Sequence, residues 1–356
     1  MFFINIVLFI FIVLSLFCIV NRLNKGNCVK ISRFWYYLFF VIFFFYGTYF
    51  VISGDYIAYQ SEVYNVYRNP LYGTHLEFPY VYLIYILDGD FLKWRYCIYG
   101  VMTILLYVFF RQSKIDTIHG LFWFSLLVLI DSLGGRSPIG IISYFIGAIL
   151  FCQKKYYQGI LFLLFSYFAH KSIAPLFLLL PFTIIPINKK TLLLLSLFFC
   201  IVLGLTSNYV FNKLISFGVI EEDLFVSYLS YKSGVFNSIS GSVEFFIYIC
   251  PIYCFCLYFI YKLVQSSWDN QVGGKIKQFT YVFVLMCFIL FLLFGWRNPM
   301  FYRYWSMFKY LMLVSFPYVL PRLYQFRATK RNMYFFLVFF IGALYHTLLL
   351  AYYAMS

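Results

Sequence analysis

Charged residues are scarce in this sequence, and acidic residues are the scarcest of them. The 356 residues include 12 Asp or Glu against 27 Lys or Arg; charged side chains make up 11% of the chain and hydrophobic ones 64%. A soluble domain is nearer about one quarter charged and one half apolar. No soluble core could bury this much apolar surface, so the composition predicts one all-α integral membrane domain over residues 1–356 that lipid covers.

The sequence also lacks the short motifs of nucleotide-driven and metal-dependent proteins. It contains no Walker A sequence and no G-x-G-x-x-G fingerprint. Its nine cysteines show no paired metal-binding spacing, and most fall within apolar runs. These absences argue against ATP-driven transport by this chain alone, and the sequence indicates no metal or cofactor site.

Long apolar runs are abundant. A membrane-spanning helix needs roughly 20 apolar residues, within a range of about 17–25. The runs predict about twelve transmembrane or partly inserted helices. Those between 119 and 187, and 308–320, are short for a span, which favours tilted, half-inserted or re-entrant elements. The candidates are 1–20, 34–53, 92–110, 119–133, 137–152, 157–169, 172–187, 191–210, 246–264, 279–296, 308–320 and 333–353.

The basic residues indicate an orientation. One set of connections between the apolar runs holds 17 of the 27 Lys and Arg but only two acids, Asp116 and Asp269. Short cytoplasmic loops carry such an excess, so this set is expected on the cytoplasmic side. The net charge of +15 is then a topology signal and not a nucleic-acid-binding patch. The two long connections, 54–91 and 211–245, fall on the non-cytoplasmic side; the acidic loop 211–245 is most simply a solvated face.

The connection 54–91 combines carboxylates with tyrosines. Asp55 and Tyr59 are spaced i, i+4, so they share one face if the segment is helical. Tyr56 lies beside them, and Glu77 and Tyr80 follow. Tyrosine rings and carboxylates suit a sugar, because rings stack on its apolar face and carboxylates bind its hydroxyls. The alternative is an amphipathic surface helix in the headgroup region with a tyrosine belt.

Arg136 stands at a predicted helix start. Ser137-Pro138 is typical of a first helical turn. Arg136 would lie at the positive end of the helix, where backbone N–H groups also attract an anion of phosphate size. The alternative is a turn closed by a salt bridge between Asp131 and Arg136.

Two further polar groups are expected on the non-cytoplasmic face. His170 and Lys171 separate two apolar runs, and a hairpin of 137–152 and 157–169 would return His170 to the level of Arg136. A lone histidine is also compatible with a structural role. Arg297 and Arg303, with Tyr304, lie between the late apolar runs, where arginine and aromatic residues could equally form an interfacial anchor.

The sequence resembles a known family at these residues, over most of its length. It is similar to the bacterial O-antigen and exopolysaccharide polymerases, the Wzy-type and EpsG-like membrane proteins. The resemblance rests on Gly54-Asp55-x-x-x-Tyr59, Glu77-x-Pro79-Tyr80, Arg136 at a helix start, His170-Lys171-Ser172 and Arg303-Tyr304.

The resemblance implies a polytopic glycosyltransferase of GT-C-like architecture in the bacterial inner membrane. Such an enzyme would use undecaprenyl-diphosphate-linked oligosaccharide as donor and acceptor on the periplasmic face. It would transfer the growing glycan to the non-reducing end of a new lipid-linked repeat, without metal or nucleotide. Expected partners are membrane lipid, a chain-length regulator and a flippase, with no nucleic acid.

Residue roles follow as hypotheses from this resemblance. The diphosphate-binding candidates are Arg136, Lys171, Arg297 and Arg303. The candidates for the base that deprotonates the acceptor hydroxyl are Asp55, Glu77 and His170. The candidates for lining the sugar path are Tyr56, Tyr59, Tyr80 and Tyr304.

Other functions stay open on the sequence alone. A flippase for the lipid-linked repeat would suit twelve helices, although transporters usually show related halves and midplane charges. A membrane O-acyltransferase would need an acyl donor from the cytoplasm. An O-antigen ligase differs only in its acceptor, which the sequence does not reveal.

Overall fold

The protein is helical throughout the ranges that can be described. A computed structural model describes residues 33–49, 54–69, 74, 76–113, 115–128, 136–216, 257–269, 271–294 and 300–324. The predicted spans 1–20 and 333–353, most of the loop 211–245 and the first part of 246–264 lie outside these ranges, as does Arg297. Predictions for those segments stay predictions.

The helices follow the apolar runs. In chain order they are α1 Arg33–Tyr49, α2 Gly54–Arg68, α3 Phe78–Ile86, α4 Phe91–Gln112, α5 Ile118–Leu127, α6 Arg136–Cys152, α7 Tyr156–Ala169, a 3-10 helix Lys171–Thr183, α8 Lys189–Ser216, α9 at 257–265, α10 Val272–Phe294, α11 Met300–Val319 and α12 Pro321–Tyr324.

Several boundaries differ from the predicted ones. The connection 54–91 contains two helices, α2 and α3. Its tyrosines lower the hydropathy of the segment through their hydroxyl groups, but their rings still offer the apolar surface on which helices pack. The fifth helix is shorter than the predicted 119–133 and ends at Leu127. The helix predicted at 308–320 begins earlier, at Met300, since Arg303 and the tyrosines beside it interrupt the apolar run without interrupting the helix.

The 3-10 helix replaces the α-helix expected at 172–187. It runs for 13 residues and contains Pro175 and Pro181. Proline lacks the backbone N–H that an α-helix needs at interior positions and its ring clashes with the preceding turn. Runs of 3-10 helix this long are uncommon. The element therefore supports the expectation that this region is not an ordinary span.

The hairpin of α6 and α7 defines two ends of the molecule. The 17 residues of α6 rise about 25 Å from Arg136, and α7 returns the chain to His170. Arg136 and His170 thus share one end, here called the site end. Lys154 and Lys155 lie in the turn at the other end, here called the basic end. This separation follows the charge pattern on which the topology prediction was based.

Other helices run between the same two ends. Helix α4 starts beside the site and finishes at the basic end with Arg111 in its last turn. Helix α10 starts at the basic end, where Lys275 lies within electrostatic reach of Cys152 at the end of α6. Tyr318 near the end of α11 lies beside Gly273 at the start of α10, so α11 runs antiparallel to α10 and its first turn belongs to the site end.

Apolar side chains fill the space between the helices and also cover their outer faces. Phe145 of α6 packs on Phe283 of α10 and Tyr310 of α11, with ring centroids 5.7 and 6.1 Å apart. On the outside, Tyr157 is 88% exposed and Leu205 70%. Such outward apolar surface is expected where lipid is the solvent. Among the described helices, Phe91–Gln112 is long and apolar enough to cross a membrane, and several apolar helices are shorter.

A candidate active site around Glu77

Glu77 is the centre of the polar cluster at the site end. It is 7% exposed. Its Oε2 accepts a hydrogen bond from Arg136 Nη1 at 2.6 Å, and its Oε1 lies 3.0 Å from His170 Nδ1. Arg136 and His170, which are far apart in the sequence, thus share the buried carboxylate of Glu77.

Glu77 reaches this position because it immediately precedes α3. It is the N-cap residue of that helix and has extended backbone angles, and Pro79 follows in the first turn. The Glu77 carbonyl accepts the backbone N–H groups of Tyr80 and Val81. The side chain makes no capping hydrogen bond. An N-cap side chain usually bonds to its own helix; here both carboxylate oxygens bond to other elements instead.

The neighbours of Glu77 keep it ionised. Burial alone would raise its pKa, but the hydrogen bond with His170 and the positive charge of Arg136 outweigh that effect, so the pKa of Glu77 lies below its ordinary value. An ionised carboxylate only accepts hydrogen bonds. His170 Nδ1 must therefore be the donor, and in the neutral ring the basic nitrogen is Nε2.

His170 is held at a break between two helices. It ends α7 and precedes the 3-10 helix, with extended backbone angles, and its N–H donates to the Ser166 carbonyl. Gly140 of α6 faces it. A Cβ at Gly140 would lie 2.6 Å from His170 Cβ. Only glycine lets the end of α7 approach α6 closely enough for the imidazole to reach Glu77.

Aromatic side chains pack around Arg136. Arg136 Nε donates to the Tyr59 hydroxyl at 3.3 Å, and the guanidinium carbon lies 5.7 Å from the centre of the Tyr59 ring. The Tyr80 hydroxyl donates to the Arg136 carbonyl at 3.4 Å. Trp94 of α4 packs against both tyrosines, with ring centroids 6.0 and 6.3 Å away.

Of the predicted site residues, the structure therefore brings together Glu77, Arg136, His170, Tyr59 and Tyr80. Arg136 pairs with Glu77; Asp131 lies outside the described residues, so the alternative of an Asp131–Arg136 salt bridge stays a prediction.

The other predicted site residues are placed less closely. Lys171 is exposed beside His170. The backbone of Asp55 and Tyr56 lies in the first turn of α2, and that of Arg303 and Tyr304 near the start of α11. Their side chains are not among those described, so their roles stay predictions. In the described ranges no three His, Cys, Asp or Glu side chains are grouped as metal ligands would be.

Sequence reasoning missed Trp94 and Arg95. Both lie in the first turns of α4 and are buried, at 3% and 5% exposure. A signal was present, because a charged residue inside an apolar span is unusual. It was overlooked because Arg95 stands in a predicted span and not in a connection.

One comparison with known proteins identifies the chain. The sequence model of the EpsG family matches residues 32–355. The protein belongs to the EpsG family. No curated protein and no solved structure matches the chain. Membership of the EpsG family points to a membrane-associated, glycosyltransferase-like polysaccharide polymerase of exopolysaccharide biosynthesis.

The Glu77 contacts predict a pH dependence of stability. Because the pKa of Glu77 is lower in the folded than in the unfolded protein, its contribution is present above the unfolded pKa and is lost as the pH falls through the folded pKa. Glu77→Gln should melt at a lower temperature than the wild type at pH 7, since it leaves Arg136 buried without its carboxylate. The cost is about 3–5 kcal/mol.

Thermal melts in nanodiscs from pH 7 down to about pH 2, a range that passes through the lowered pKa of Glu77, measure this dependence. The difference in melting temperature between the wild type and Glu77→Gln should decrease as the pH falls. Glu62→Gln is the matched control: Glu62 belongs to the preceding helix and bonds to Thr74. A difference in melting temperature that stays constant across the whole pH range would contradict the assigned Glu77–Arg136 ion pair.

Proposed function

We propose that this EpsG-family protein polymerises lipid-linked oligosaccharide repeats, transferring the growing glycan from undecaprenyl diphosphate to the non-reducing end of a new lipid-linked repeat. The observation that carries the proposal is the buried Glu77 carboxylate shared by Arg136 and His170. It combines a guanidinium for an anion with an oriented imidazole for a proton, at residues that also carry the family resemblance.

His170 is the proposed general base. The acceptor hydroxyl gives its proton to His170 Nε2 while its oxygen bonds to the anomeric carbon of the donor sugar. The bond from that carbon to the diphosphate oxygen breaks, and the diphosphate leaves with the electron pair. Glu77 orients the ring and stabilises the imidazolium that forms, as a carboxylate does beside a catalytic histidine.

Arg136 is the proposed principal contact of the diphosphate. The guanidinium lies at the N-terminus of α6, where the backbone N–H groups and the helix dipole also favour an anion. In a partly shielded site a charge pair at 4 Å is worth on the order of 4 kcal/mol before desolvation. Lys171, Arg297 and Arg303 are proposed to add positive charge at the same end.

The remaining features of the proposal follow the charge pattern and the family. The site end faces the periplasm, about twelve helices cross the inner membrane in a GT-C-like arrangement, and neither metal nor nucleotide is consumed. Tyr59 and Tyr80 line the sugar path, together with Tyr56 and Tyr304. Of the three candidate bases, the geometry favours His170 over Glu77, whose carboxylate is engaged by two partners.

The test is a deletion strain complemented with wild-type or variant genes. Loss of a polymerase leaves surface glycan with a single repeat, whereas loss of a flippase removes surface glycan. The proposal expects single repeats in the deletion strain and long chains on complementation. Absence of surface glycan would instead favour the flippase, and loss of acetyl or other acyl groups from glycan of unchanged length would favour an acyltransferase.

The approach of α7 to α6 predicts a sensitive glycine. Gly140→Ala should lower the rate of polymer formation about ten- to hundredfold, because the new methyl group displaces His170 by a fraction of an ångström from its reactive position. Gly100→Ala is the matched control, since a Cβ there meets Phe44 Cε2 at an ordinary 3.8 Å. Chain-length ladders at matched expression measure both; equal ladders would contradict the role of this contact.

A further inference from the structure

Arg95 is a second buried guanidinium at the site end. It is 5% exposed and lies in the second turn of α4, the described helix that is long and apolar enough to cross a membrane. Charged residues are expensive in such helices and usually mark functional paths. Lys93, two residues earlier, is exposed and pairs with Asp90 at 3.5 Å. Burial therefore distinguishes Arg95 from its charged neighbour.

One contact of Arg95 is structural. Its guanidinium donates to the carbonyl of Gly47 near the end of α1. The last carbonyls of a helix lack partners within the helix, and a cation is favoured there. This contact joins α1 to α4, but a neutral amide could donate to the same carbonyl. It does not by itself require a charge.

Other contacts connect Arg95 to the Glu77 cluster. The Tyr99 hydroxyl pairs with the Arg95 side chain and lies within electrostatic reach of Tyr59. The Tyr59 hydroxyl in turn accepts the hydrogen bond from Arg136. Each guanidinium therefore has a tyrosine as its neighbour: Arg136 lies against Tyr59, and the Arg95 guanidinium carbon lies 5.8 Å from the centre of the Tyr99 ring.

Trp94 adds a hydrogen-bond donor to the same region. The residue is 3% exposed and packs against Tyr59 and Tyr80, and its indole N–H has no partner among the described residues. Buried donors normally have a partner. A buried indole N–H on a ring that packs against two tyrosines of the Glu77 cluster is suited to an anionic or hydroxyl oxygen.

We propose that Arg95 is a second phosphate-binding residue, so that Arg136 and Arg95 each contact one phosphate of the lipid diphosphate. Tyr59 lies beside the guanidinium of Arg136 and Tyr99 beside that of Arg95, and the Trp94 indole supplies a further donor. Arginine suits this role because its planar fork matches phosphate oxygens. The inference rests on the proposed function, since it assigns a subsite to the same lipid-linked substrate.

The test compares two lipids that differ by one phosphate. The full-length protein in nanodiscs is titrated with undecaprenyl diphosphate and with undecaprenyl phosphate, and the ratio of the two Kd values is the readout. The wild type should prefer the diphosphate about tenfold or more, the size expected for one charge-assisted contact. Arg95→Gln keeps a donor for Gly47 and should reduce the ratio to about threefold or less. Lys93→Gln, which removes an exposed charge from the same helix, should keep the wild-type ratio.

The possible outcomes distinguish a failure of this inference from a failure of the proposed function. If Arg95→Gln weakens both lipids by the same factor, Arg95 only holds α1 to α4 and the inference is wrong. If Arg136→Gln lowers the ratio and Arg95→Gln does not, the inference also fails while the proposed function stands. If the wild type shows no preference for the diphosphate, the inference fails; the proposed function fails only if the complemented deletion strain forms no long chains. Arg95→Lys is the second variant, for use if Arg95→Gln does not fold, because it keeps the positive charge. It should lower the ratio of the two Kd values partially, since an ammonium group lacks the planar fork. An unchanged ratio would overturn the assignment.

Discussion

Arg136→Ala is expected to leave single-repeat glycan in the complemented deletion strain, with polymer formation reduced about 10²–10³-fold. Loss of one donor that stabilises developing negative charge costs about this much in other enzymes. The substitution also leaves the buried Glu77 carboxylate without its 2.6 Å partner, which costs about 3–5 kcal/mol of stability. Arg136→Lys should not restore long chains, because one ammonium group cannot reproduce the planar fork that contacts both Glu77 and Tyr59.

Controls separate chemistry from folding for Arg136. Arg68→Ala removes an exposed arginine that stacks on Tyr64 at 4.1 Å, and it should give normal ladders. The double substitution Glu77→Gln with Arg136→Met removes both charges, so it should recover much of the stability without recovering polymer. Normal ladders for Arg136→Ala at wild-type expression would remove Arg136 from the site.

His170→Gln is expected to slow polymerisation about 10²–10⁴-fold while the protein folds normally. The amide can keep a hydrogen bond to Glu77 but cannot take the acceptor proton, and general base catalysis contributes about this factor. The substrate still binds through Arg136, so kcat should fall while KM changes little. Initial rates of chain extension by the purified protein measure both quantities.

His119 provides the matched control for His170. It is also buried, at 5% exposure, but lies in the first turn of α5 towards the basic end. His119→Gln should therefore keep the wild-type kcat per folded molecule. An equal loss of kcat in both variants, or a loss expressed only in KM for His170→Gln, would contradict the role of His170 as base.

The apolar runs and charge pattern anticipated the helices but not all of their boundaries. Long apolar segments such as 92–110 became helices because lipid-like environments leave few other ways to satisfy the backbone. The 13-residue 3-10 helix was not foreseen, although Pro175 and Pro181 were visible. A proline signals that an α-helix is disturbed, but the alternative form depends on packing against the neighbouring helices.

The sequence predicted several residues of the candidate site but not which of them bond to one another. A hairpin argument placed Arg136 and His170 at the same end, and α6 and α7 have that arrangement. The bonding of Glu77 to both partners could not be deduced, because it depends on how α3 packs against elements far along the chain. The close approach at Gly140 likewise requires the tertiary structure, since its neighbour His170 is distant in sequence.

The most direct test of the proposed transfer is polymerisation by the purified full-length protein in nanodiscs with one defined undecaprenyl-diphosphate-linked repeat. We predict glycan chains of increasing length and release of undecaprenyl diphosphate, without nucleotide and in the presence of a chelator; the rates should fall for Arg136→Ala and His170→Gln but not for Arg68→Ala. Wild-type protein that forms no chains from this substrate, or forms them at the same rate after both site substitutions, would contradict the account.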